Sequence, residues 1–96
     1  MVNISITGNN FEVSEALREA THTKFQKLIR HSPDILNIHV SFTIEHLDQI
    51  AKVTLHLPGI EVYASETSDN IYKTLDGVID KLEIQIKKHK DKRSGD

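Results

Sequence analysis

Hydrophobic positions recur along this chain with two different periods. Val2, Ile4 and Ile6 alternate with Asn3, Ser5 and Thr7, the period-two pattern of a short strand with one buried face. Gly8, Asn9 and Asn10 end it as turn residues. Leu17, Thr21, Phe25 and Leu28 then share one face at helical spacing, with Ser14 placed to cap the helix and Glu15 in its first turn. This helix should run to about Arg30 or His31, where Ser32, Pro33 and Asp34 stop it, since proline cannot continue a helix.

The next two apolar runs return to period two. Leu36, Ile38, Val40, Phe42 and Ile44 alternate with polar residues, as do Ala51, Val53, Leu55 and Leu57 after a polar loop, His46 to Gln49. Paired as a hairpin with inward facing inward, they set Ile44 opposite Ala51, Phe42 opposite Val53 and Val40 opposite Leu55. Pro58 and Gly59 make a turn, and Ile60, Val62 and Ala64 form a last short strand. From Ser68 to Arg93 the period becomes helical again. Ile71, Leu75, Val78, Leu82 and Ile86 make one apolar stripe, with Ser68 as the expected cap and Asp69 in the first turn.

The order β-α-β-β-β-α predicts an α+β fold: a four-stranded mixed sheet with a right-handed first crossover and both helices packed on one face. Leu17, Leu28, Val40, Phe42, Val53, Leu55, Leu75, Val78 and Leu82 are the expected core. Residues 1–93 read as a single domain and 94–96 as a flexible tail. The absence of a heptad seam or a second apolar face predicts a monomer.

Composition narrows the chemistry. The 96 residues include no cysteine, so neither a disulfide framework nor a thiolate zinc site is available. No signal peptide is expected from MVNISITGNN, and no apolar run approaches the ~18 residues that cross a bilayer. The net charge of −2 hides an asymmetry: residues 1–86 hold seven Lys or Arg against twelve Asp or Glu, and residues 87–96 hold five against two. The flanks of the last helix are sorted by sign. Lys81, Gln85, Lys88 and Lys92 fall on one side of its stripe; Asp69, Asp76, Asp80 and Glu83 fall on the other.

Catalytic and metal readings fare poorly. In the expected register His39 and His56 are neighbours on the exposed sheet face, but a zinc site needs three or four protein ligands and spacing supplies no third. No Gly-rich phosphate loop and no Ser-His-Asp or carboxylate dyad can be placed. Asp76 and Asp80 share a helix face and suit solvation or pairing with Lys73 or Lys87. No enzyme activity, cofactor or metal is expected. The basic residues suggest more. Lys24 and Lys27 flank the first helix stripe and Lys81, Lys88 and Lys92 the second, with Lys90 and Arg93 nearby. Two adjacent helices are expected to join these ridges into a groove that grips phosphates rather than stacking bases.

The residues also resemble a family. Ile4, Ile6, Thr7, Gly8 and Asn9, the first-helix residues Glu15, Ala16, Leu17, Arg18, Lys24, Phe25, Lys27 and Leu28, and the last-helix run Asp69, Tyr72, Asp76, Asp80, Lys81, Leu82, Gln85, Lys88, His89, Lys90 and Lys92 match in type and spacing. They are similar to the short ribosome hibernation-promoting factors, also called ribosome-associated inhibitors or sigma-54 modulation proteins. Ala20 departs from the pattern, which often has an aromatic residue there. The resemblance implies helices laid out as in double-stranded RNA-binding domains. It implies a cytoplasmic, non-enzymatic bacterial protein that binds the small ribosomal subunit and its 16S rRNA in the mRNA/tRNA channel, inhibiting translation and preserving inactive ribosomes in stationary phase or stress. It implies cooperation with a separate ribosome modulation factor, and the match in the last helix reinforces the expectation, drawn from clustering beside the two stripes, that Lys24, Lys27, Lys81, Lys88, Lys90, Lys92 and Arg93 grip rRNA phosphates. A module that modulates a sigma factor through the acidic flank of the last helix is the alternative.

Overall fold

Alternate residues of every strand turn toward one shared core, as the period-two runs require. A computed structural model describes the backbone of residues 2–94 and the side chains of residues 2–89. The elements are β1 (Asn3–Asn9), α1 (Glu15–His31), β2 (Asn37–Glu45), β3 (Asp48–Leu57), β4 (Ile60–Ser68) and α2 (Ile71–Ser94). The sheet order is β1-β2-β3-β4, with β1 parallel to β2 and the other two pairings antiparallel. This is the expected α+β fold, a mixed sheet and two helices. Helix α2 reaches Ser94, one residue beyond the expected end; residues 95 and 96, the rest of the expected tail, lie outside the described residues.

Both helices pack on the same face. Leu17, Phe25 and Leu28 of α1 join Leu75, Val78 and Leu82 of α2 in one cluster with Ile38, Val40 and Phe42 of β2, Val53 and Leu55 of β3, and Val62 of β4. All nine residues expected in the core are at most 1% exposed. The opposite sheet face carries Ser5, Thr7, His39, Ser41, Lys52, Thr54, Tyr63 and Ser65 and stays solvated.

The ladder corrects the expected hairpin. Phe42 pairs with Ala51, Val40 with Val53 and Ile38 with Leu55, a shift of two residues from the register read off the sequence. Alternation fixes which face a residue takes, and a two-residue slip preserves that face. The connection decides the rest. Pairing runs to Glu45 and Asp48, so the turn is only His46 and Leu47, made possible by His46 in the left-handed region at φ +57°. His39 therefore lies opposite Thr54 and His56 opposite Asn37, so the two imidazoles are not direct cross-strand neighbours.

Local chemistry positions the helices. The Ser14 hydroxyl accepts from Leu17 N–H and caps α1, as expected. Before it, a Cβ at Gly8 would stand 2.2 Å from the Phe11 carbonyl oxygen, so only glycine lets the chain fold back and set Phe11 edge-on against Phe42. The cap of α2 is Asn70, not Ser68: Asn70 Oδ1 accepts from Tyr72 and Lys73 N–H. Ser68 still ends β4, and Asp69 lies before the helix. Thr74 is fully buried, and its hydroxyl lies 2.9 Å from Gln49 O at the start of β3, 3.1 Å from Asn70 O and 2.6 Å from Ser68 Oγ.

Candidate nucleic-acid interface

The apolar stripe of α2, widened by Thr74 and Ile79, is buried down to Ile86. That fixes the direction of each charged flank. The acidic flank faces α1: Lys24 Nζ lies 2.5 Å from Asp76 Oδ1, and Lys24, Lys27, Asp76, Ile79, Asp80 and Glu83 line one shallow cleft between the helices. The basic flank faces the free edge of β4, where Lys81 Nζ donates to Ser65 O at 3.0 Å and Gln85 Nε2 to Tyr63 O at 2.8 Å.

This arrangement corrects the expected groove. The ridges of α1 and α2 do not meet, because the lysines of α1 lie across from the carboxylates of α2. Opposite charges at close range attract, and like ridges placed there would repel. The cations instead form two strips with α2 between them. Asp76 takes its partner from α1 and not from Lys73 or Lys87; Lys73 pairs weakly with Asp69 at 3.8 Å.

The candidate residues thus differ in state. Lys24 is paired with Asp76, and Lys81 with Glu66 at 3.4 Å. Lys27 and Lys88 are exposed and, among the described residues, have no carboxylate partner. Lys90, Lys92 and Arg93 continue the helical backbone of α2, and their side chains lie outside the described residues. Sequence reading missed Glu66, because β4 was ended near Ala64. Glu66 continues the inward set Ile60, Val62, Ala64, and an inward carboxylate at that register is the signal that it meets a cation. It also missed the close approach at Gly77, where a Cβ would stand 2.7 Å from Glu66 Oε2.

Among the described residues no three His, Asp or Glu side chains are grouped to hold a metal. His56 Nδ1 instead lies 3.6 Å from Glu61 Oε2 across the sheet. No described helix is long and apolar enough to cross a membrane.

A one-sided β-α-β-β-β-α sandwich with sign-sorted helix flanks defines the class: a small two-layer α+β domain presenting charge along its helices. The chain belongs to the family described as Sigma 54 modulation protein / S30EA ribosomal protein, whose profile matches residues 4–94. It is 43% identical over 89 residues to the ribosome hibernation promoting factor of Salmonella typhimurium, covering 93% of this chain and 94% of that one. The protein of the same name from Azotobacter vinelandii is 37% identical over 90 residues, covering 94% of this chain and 84% of that one. Among solved structures, a ribosomal subunit interface protein from Coxiella burnetii superposes with a TM-score of 0.88 at 39% identity, covering 92% of this chain and 97% of that one. The N-terminal domain of Thermus thermophilus Protein Y gives 0.82 at 28% identity, covering 91% and 98%.

Proposed function

We propose that this protein is a ribosome hibernation factor. It binds the small ribosomal subunit in the mRNA/tRNA channel through rRNA phosphates, inhibits translation and preserves inactive ribosomes in stationary phase or stress. The observation that carries this reading is the 43% identity to a ribosome hibernation promoting factor across nearly the whole of both chains. The role is one of binding, not catalysis, and places the protein with ribosomes in the cytoplasm. Off the ribosome it is a monomer, and a separate ribosome modulation factor is its partner when ribosomes pair.

The contacts proposed are Lys24, Lys27, Lys81, Lys88, Lys90, Lys92 and Arg93; of those with described side chains, Lys24 and Lys27 lie on the α1 side of α2 and Lys81 and Lys88 on its other flank. Lysines without aromatic interleaving grip the backbone and give affinity and register with little sequence readout. Lys27 and Lys88 are available directly, whereas Lys24 and Lys81 must exchange Asp76 and Glu66 for phosphate. A sigma-factor partner on the acidic flank is less well supported, because that flank already lies against Lys24 and Lys27.

The test is sedimentation of a stationary-phase lysate with detection of this protein across the gradient. Co-migration with small subunits or whole ribosomes, reduced by Lys27→Glu with Lys88→Glu, is the expected result. A protein found only at the top of the gradient, or with a sigma factor, would overturn the reading.

A further inference from the structure

Strand β4 is an edge of the sheet and should expose a row of unpaired backbone groups. Successive residues of a strand direct these groups to opposite sides. Those of Tyr63, Ser65 and Thr67 point away from β3, and side chains meet one group on each. Gln85 Nε2 donates to Tyr63 O at 2.8 Å, Lys81 Nζ donates to Ser65 O at 3.0 Å, and Thr67 N–H donates to Glu66 Oε1 at 3.2 Å. Lys81 also pairs with Glu66, which links the contacts at Ser65 and Thr67. Gln85 and Lys81 are one helical turn apart, which matches the two-residue step between Tyr63 and Ser65 closely enough for both to reach.

We infer that Lys81, Gln85 and Glu66 form a seal that keeps β4 from pairing with β4 of a second copy of this chain. The covered groups are self-complementary. In an antiparallel two-fold pairing centred on Ser65, Tyr63 O would accept from Thr67 N–H of the second copy, and the two Ser65 residues would exchange N–H and C=O bonds. Such a dimer would draw on Tyr63 O, Ser65 O and Thr67 N–H, and the seal occupies all three. The surface is therefore a latent self-association edge, and α2 holds it shut with side chains that run past the strand instead of another strand. This inference does not rest on ribosome binding, and its test uses purified protein alone.

The experiment is analytical ultracentrifugation of the Lys81→Ala, Gln85→Ala double variant across the micromolar range. Both side chains are exposed, so the variant should keep the parent's helical signal and double in mass as concentration rises. Adding Ser65→Pro removes the central edge N–H without touching the β3 ladder and should return the mass to that of a monomer. A folded double variant that stays monomeric, or a dimer indifferent to Ser65→Pro, would overturn the seal. Should the double variant not fold, amide exchange on the unaltered protein decides. Thr67 N–H, with its Glu66 acceptor, should exchange several-fold more slowly than in Glu66→Ala, and equal rates would count against the inference.

Discussion

Lys24 Nζ lies 2.5 Å from Asp76 Oδ1, tying α1 to α2 and turning the acidic flank of α2 inward. Both side chains keep contact with water, at 38% and 59% exposure, so the pair contributes less than about 1 kcal/mol. Its larger effect is on availability: a phosphate that recruits Lys24 has to displace a carboxylate.

Asp76→Asn should therefore separate the two effects. Stability in urea should fall by under about 1 kcal/mol. Small-subunit affinity at fixed salt should rise, because Lys24 is released. Titration of the variant against small subunits checks this; a weaker complex would mean that Asp76 holds Lys24 in its binding geometry.

Lys88→Ala removes an exposed cation with no carboxylate partner among the described residues. It should leave the melting transition unchanged and lower the slope of log affinity against log salt by roughly 0.7–0.9 unit, the value for one lost phosphate contact. Co-sedimentation over a salt series measures the slope. An unchanged slope would remove Lys88 from the interface.

The two confined glycines should respond differently. Gly8→Ala drives a Cβ to within 2.2 Å of a backbone carbonyl oxygen, and backbone cannot move aside cheaply, so a loss of roughly 1–3 kcal/mol is expected. At Gly77 the obstacle is the flexible end of Glu66. There the gain in helix propensity of about 1 kcal/mol offsets the displacement, and chemical denaturation should find Gly77→Ala close to neutral.

Leu82 is fully buried beneath the middle of α2. Leu82→Ala should cost about 2–5 kcal/mol, read as a lower urea midpoint with an unchanged slope of the transition.

The elements, their order and the core were legible because period and burial are coupled directly: Leu75, Val78 and Leu82 can face only one way. The pairing of β2 with β3 was less legible. Its register depends on His46 accepting a left-handed backbone, and neither His46 nor Leu47 carries the glycine or asparagine that usually announces so short a turn. The start of α2 was blurred by three successive cap-type residues, Ser68, Asp69 and Asn70, of which geometry selects the last. The sorting of Lys81, Gln85 and Lys88 from Asp76, Asp80 and Glu83 was read correctly from the helical period. Which flank meets α1 was not, because that depends on the order of strands beneath the helices, and no period in α2 itself encodes it.

Thr74 gives α2 an index position. An apolar stripe alone would let a helix slide along a sheet by one turn, about 5.4 Å, while still burying side chains. The Thr74 hydroxyl meets Gln49 O at the start of β3 and Ser68 Oγ at the end of β4, and it finds both at one axial setting only. Every cation on α2 is measured from that point, so the spacing of charge that the molecule offers a partner is set by a single uncharged oxygen. Valine there would keep the volume and erase the mark.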